Sequence, residues 1–331
     1  MGRASGLAMA LALCQACAPV QQARLDPLAD PMPREIEAAA TMSSCAPFVD
    51  YVWPGSPQLC REQPVGGAIL VGAGAAQLGA GIGLALANPT GPTADTDPSA
   101  GSGLMVPFVG FQDAWVIGIG AGALHDQAAA GRLYVPQDTL GEMAAAPFNG
   151  HVLQRPAVWG TTLGALAGAY ALTALTSSGQ PAPVLGGRPN VFGVSMEPVV
   201  GYPALAASSV ALFEQVALAE EILFRGLLQS GLASNLHSET GGWVLASLIF
   251  GGTHALNVYT LPEEEHASYL LVAVPYITVV GAAIGLVYQD ADYSLTAPIA
   301  VHFWYDTALT MASAIADPQN TIFSIRWGGA W

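Results

Sequence analysis

Apolar residues run along this chain in blocks near twenty residues long, separated by short polar breaks. The blocks lie roughly at 65–87, 104–124, 157–177, 203–233, 242–258, 268–288 and 295–314. A helix needs about twenty such residues to cross about 30 Å of hydrocarbon. The pattern therefore predicts an all-α polytopic membrane protein with about seven transmembrane helices. Breaks such as NPTGPTADTDPSAGSG and SSGQPAPVLGGRPN carry Pro, Gly and Asp, which end helices and suit water. No repeat of fixed period is visible.

One block invites a different reading. AILVGAGAAQLGAG, from Ala68, looks like a strand entering a nucleotide-binding glycine turn, but Gln77 stands where the third glycine belongs. The apolar run continues as a helix would, so the small residues, Gly79 and Gly83 among them, are expected to serve close helix packing.

Composition agrees with a bilayer. Hydrophobic residues are 52% and charged residues 10%, far below the quarter expected of a soluble domain, and mean hydropathy is +0.45. The net charge of −15 argues against nucleic-acid partners, and no basic run exists to dock on anionic lipid. All nine basic residues are Arg, a bias of GC-rich genomes that points to a bacterium.

The ends divide from the helical body. Residues 1–18 hold Arg3 and a short apolar stretch, as in a signal peptide, and resemble a bacterial lipoprotein signal with Cys17 as the lipidation candidate. A frayed cytoplasmic N-terminus is the alternative. Residues 19–64 read as a polar, Pro-rich extramembrane leader. There Cys45 and Cys60 are a disulfide candidate in an oxidising compartment, or else two free thiols. Residues 65–199 are accessory transmembrane helices and loops, 200–316 the functional core and 317–331 a tail. Orientation signals conflict. Arg24, Arg34, Arg61, Arg132 and Arg155 on one side favour a cytoplasmic start by the positive-inside rule, with Arg188 and Arg326 opposite. An exported leader puts the first set outside.

Three of the last four blocks carry polar residues that grease does not explain. ALAEEILFRGLLQSG places Glu220, Glu221 and Arg225 in one run. Glu221 and Arg225, four apart, stack on one helix face as an ion pair, while Glu220 is rotated by about 100° and points elsewhere. LASLIFGGTHALNVY puts Phe250 one turn before His254, and TAPIAVHFWYDTALTMA puts His302 and Asp306 four apart. A charge near mid-bilayer costs about 2.5–3.5 kcal/mol on insertion scales, so such groups face the bundle interior or a wet cavity. Taken singly, each could be a structural clamp or a satisfied core histidine. Together, a carboxylate and an imidazole can share a water and take its proton, and a second imidazole can hydrogen-bond a developing oxyanion.

These motifs, EEILFR, FGGTH and HFWYD in that order, resemble those of the CPBP family of CAAX protease and bacteriocin-processing membrane proteins. That family includes the CAAX prenyl endopeptidase type 2. The resemblance covers residues 203–314. It implies an intramembrane glutamic endopeptidase in which Glu220 activates water, His254 positions it, and His302 and Asp306 line the oxyanion site. Glu221, Arg225 and Phe250 would support them. Asp306 departs from the Asn of the prenyl endopeptidases. An ionised carboxylate would repel an oxyanion, so Asp306 is expected to orient His302 instead. The implied partners are a membrane-associated peptide or protein substrate and the lipid bilayer, in a bacterial cytoplasmic membrane, with no cofactor.

Two alternatives stand beside this. Glu220, His254 and His302 could hold a catalytic zinc, although the helical His-Glu-x-x-His spacing is absent. The fold could also serve as a non-catalytic scaffold or bacteriocin-immunity protein. The remaining polar features read as structural. Glu214 extends the stripe of Glu221 or marks a helix end, and Glu263, Glu264, Glu265 and His266 form a solvated loop. His125 and Asp126 close a helix, and Trp53, Trp115, Trp159, Trp243 and Trp304 mostly mark helix ends at the interface.

Overall fold

The structure, a computed structural model, describes residues 52–61, 63–87, 98–129, 133, 138–176, 187–191, 194–261 and 263–318. Cys17 and Cys45 lie outside the described residues. In chain order the helices are α1 (Ser56–Cys60), α2 (Pro64–Ala87), α3 (Pro98–Ala129), α4 (Leu140–Ala145), α5 (Gly150–Leu153) and α6 (Pro156–Thr176). A two-residue hairpin follows, β1 (Asn190–Val191) pairing antiparallel with β2 (Val194–Ser195). It is a small departure from the all-α expectation. The Asn190 N–H donates to Pro318 O at 2.8 Å, pinning the hairpin beside the end of the last helix.

The second half holds α7 (Pro198–Glu221), α8 (Ser230–Leu236), α9 (Glu239–His254), α10 (Glu263–Ser268), α11 (Val274–Asp290) and α12 (Thr296–Ala316). Wide turns of π type, Ile222–Gln229 and Tyr269–Ala273, join α7 to α8 and α10 to α11 without a break. Each of the seven apolar blocks contains a long helix. Among the described residues, however, four rather than seven helical runs are long and apolar enough to cross a membrane. They are Pro64–Gly83, Pro156–Leu175, the 39-residue run Pro198–Leu236 and the 28-residue run Glu263–Asp290. At 16 residues α9 rises only about 24 Å, short of the hydrocarbon thickness. α3 and α12 carry polar residues along their length. The protein is an integral membrane protein built from these helices.

Two local expectations are corrected. Glu263–Glu265 do not form a loop: they are the first turn of α10, where carboxylates complement the positive end of the helix. Nor do Gly79 and Gly83 pack on any of the described residues, since a Cβ at either would meet none of them within 4 Å. The packing glycines of α2 are instead Gly67, Gly74 and Gly81, seven apart on one face. There a Cβ would run into Leu59, Pro54 and Phe108 respectively.

The main core lies where α3, α7 and α12 meet, around Ile117, Leu218, Ile222, Leu295, Ile299 and Phe303. α12 also packs on α6, and α9 packs on α11. The entry of α12 is fixed from outside. The Leu295 N–H and Ser294 hydroxyl donate to the two carboxylate oxygens of Asp138, at 2.6 and 3.1 Å. The turn before it takes Asp292 and Tyr293 into the left-handed region, at φ 53° and 62°.

Candidate active site

The three motifs converge. Glu220 and Glu221 end α7, Arg225 lies in the wide turn that follows, Phe250 and His254 are in the last turns of α9, and His302 and Asp306 are in mid-α12. Wide turns of this kind often mark functional sites. Here one follows directly after the paired glutamates.

His302 is the hub. Its Nδ1 lies 2.7 Å from Glu221 Oε1, while its Nε2 lies 3.2 Å from Asp306 Oδ2 and 3.7 Å from Glu220 Oε2. Glu220, rotated from Glu221 about the helix, thus lies beside the ring that Glu221 holds. The two adjacent glutamates address opposite nitrogens of one ring. His254 Nε2 approaches the same Glu220 oxygen at 4.0 Å, and its Nδ1 faces the Phe250 carbonyl at 2.8 Å. Only one of its nitrogens is thus left toward the carboxylate.

Arg225 and Phe250 build the wall behind. The guanidinium donates to Glu221 Oε1 at 2.9 Å and to Gly281 O at 2.8 Å, and its Cζ sits 4.5 Å over the Phe250 ring. Phe250 in turn stacks against His254, centroids 4.6 Å apart. Gly281 makes the approach possible, because a Cβ there would come 2.5 Å from Phe250 Cδ1. Exposure separates the two glutamates: the side chain of Glu221 is 0% exposed and that of Glu220 27%. Glu221 is sealed among its partners, and Glu220 is partly exposed, with its Oε2 buried against the two imidazoles.

Residues 203–308 match the family model for type II CAAX prenyl endopeptidase, Rce1-like. That is the family the motifs point to, over nearly the stretch expected. An Rce1-like segment implies a membrane protease of CAAX type, a hydrolase of peptide bonds. No curated protein and no solved structure matches the chain.

The Rce1-like segment contains every motif residue, and one further buried carboxylate lies outside it. That carboxylate is Asp113, on α3. It belongs to none of the three motifs. Its signal in the sequence is a lone carboxylate inside an apolar run, which by itself suggests a functional position. Glu214 is half-buried on α7, and Asp126 bonds Arg61 at 3.1 Å, so neither joins the cluster. His266 faces the Leu261 carbonyl at 3.0 Å. Among the described residues, no group of three or more His, Cys, Asp or Glu is arranged to hold a metal ion, Glu220, His254 and His302 included. Cys60, at the end of α1, is disulfide-bonded.

Proposed function

We propose that the chain is an intramembrane glutamic endopeptidase acting on a membrane-associated peptide or protein in a bacterial cytoplasmic membrane. The observation that carries this reading is the partly buried Glu220 carboxylate, whose Oε2 lies 4.0 Å from His254 Nε2 and 3.7 Å from His302 Nε2 with no direct hydrogen-bond partner among the described residues. Gaps of that size are too long for direct hydrogen bonds and suit a bridging water. Glu220 takes a proton from that water while His254 orients it, and the hydroxide adds to the scissile carbonyl. His302, held at Nδ1 by Glu221, donates from Nε2 to the oxyanion. Collapse of the adduct breaks the C–N bond as Glu220 returns its proton to the leaving amine. Asp306 Oδ2, 3.2 Å from the same Nε2, orients the ring in the resting site and yields that N–H to the oxyanion as it forms. The reading invokes no cofactor and no nucleic-acid partner. Bacteria mostly lack prenylated CAAX proteins, so the substrate is taken to be another membrane-associated chain.

The test compares membrane peptidomes by mass spectrometry from cells carrying the wild-type chain or Glu220→Gln. Loss of a general base predicts at least a hundredfold fall in specific cleavage products. The loss should be reproduced with purified protein, and wild-type cleavage should survive a chelator. Unchanged products and phenotype in Glu220→Gln would leave a scaffold. Chelator-sensitive cleavage restored by zinc would leave a metalloprotease.

A further inference from the structure

We propose that Tyr269 is a positioning residue of the candidate active site: its buried hydroxyl pins the end of α9 and so holds the His254 ring toward Glu220. Tyr269 opens the second wide turn, Tyr269–Ala273, and is fully buried. It packs in an apolar cluster with Phe224, Phe250, Leu261 and Ile277, a setting that Phe would fill as well. The phenol oxygen is what Tyr adds there, and it donates to the His254 carbonyl at 2.8 Å. A buried hydroxyl needs a partner of this kind, and here the partner is the backbone of a motif residue.

The end of α9 needs holding. His254 is its last residue, and the chain then tightens into a 3₁₀ turn, Ala255–Thr260. The Ala255 N–H already reaches Gly252 O and Thr253 O, not the carbonyl four residues back as regular winding would have it. Two side chains of this last turn bond the Phe250 carbonyl, Thr253 Oγ1 at 2.7 Å and His254 Nδ1 at 2.8 Å. A carbonyl only accepts, so in the neutral ring Nδ1 carries the proton. Nε2, 4.0 Å from Glu220 Oε2, then keeps its lone pair for a water. That aim depends on where the His254 backbone lies. Trp243 Nε1 donates to Ala282 O at 2.7 Å and ties α9 to α11, but about three turns earlier. The chain from Ala255 to Ser268 departs at His254 and comes back at Tyr269, with Leu256 and Tyr259 exposed on the way. The hydroxyl bond closes the base of this excursion. Without it, the excursion could shift and take the imidazole with it.

The value of the pin to cleavage rests on the reading of His254 as the residue that orients the water, but the pin itself can be tested without turnover. Diethylpyrocarbonate acylates unprotonated imidazole nitrogens. The full chain in detergent is treated with it at neutral pH, and the rate at each histidine is followed by mass spectrometry. Tyr269→Phe removes one oxygen and keeps the ring. Labelling of His254 should rise about fivefold, which is what one net hydrogen bond is worth. His151, His237 and His302 should keep their wild-type rates. Ile277→Val removes a methyl group from the same cluster and controls for general loosening. In that variant His254 should label at the wild-type rate. An unchanged His254 rate in Tyr269→Phe, an equal rise at every histidine, or an equal rise in Ile277→Val would overturn the proposal. In membrane peptidomes, Tyr269→Phe should lower the Glu220-dependent products about fivefold. Faster labelling with cleavage untouched would keep the pin and remove His254 from the chemistry. Cleavage lost in Glu220→Gln, with His254 labelling unmoved in Tyr269→Phe, would keep the peptidase and remove the pin.

Discussion

At the residue scale the support of the site rests on Arg225. One guanidinium reaches Glu221 on its own helix and Gly281 O on α11, and lies over Phe250 of α9. Removing it as Arg225→Met strands a fully buried carboxylate, a change that costs about 3–5 kcal/mol. A matching fall in thermal stability is expected in detergent. Arg225→Lys should recover little, because one ammonium cannot span both acceptors as the planar fork does. The Glu221–Arg225 pair was legible from its spacing of four. The sharing of His302 between both glutamates was not. Angular positions on one helix do not show that a ring from another helix offers two nitrogens.

At the element scale the same principle decides what could be read. Apolar runs located the long helices because burial and lipid both demand apolar side chains. That shared demand hides which face packs, so Gly79 and Gly83 looked like contacts while Gly67, Gly74 and Gly81 make them. The acidic start of α10 looked like a loop because charge was read without the helix end it complements. The α9–α11 contact is set by a glycine whose surroundings no motif describes. Gly281→Ala should force Phe250 aside and cost about 1–3 kcal/mol by overpacking. A lowered melting temperature together with reduced cleavage is the expected readout, and a neutral change would mean that Phe250 relaxes freely.

For the whole molecule, the boundary of the family match is not the boundary of the working unit. The first half supplies the α3 face that covers Leu218 and Ile222. It also supplies Asp138, which holds the entry of α12. Expressed alone, residues 198–318 should run as aggregate on size exclusion in a detergent that keeps the full chain monodisperse. A well-folded fragment would contradict this division of labour. Motifs identify the Rce1-like half because chemistry restricts side-chain type. The supporting half stays hidden because many apolar sequences can cover the same surface.

The grip of Glu221 on His302 has a mechanical corollary. An acid of one rod closed on a ring of the next stops the two from sliding or turning past each other, so α7 and α12 act as a fixed post. Whatever yields to admit a bulky guest must be a neighbour. α9, short and with Val244, Leu245, Leu248 and Ile249 turned outward, packs chiefly on α8, α11 and the wide turn rather than on the post itself.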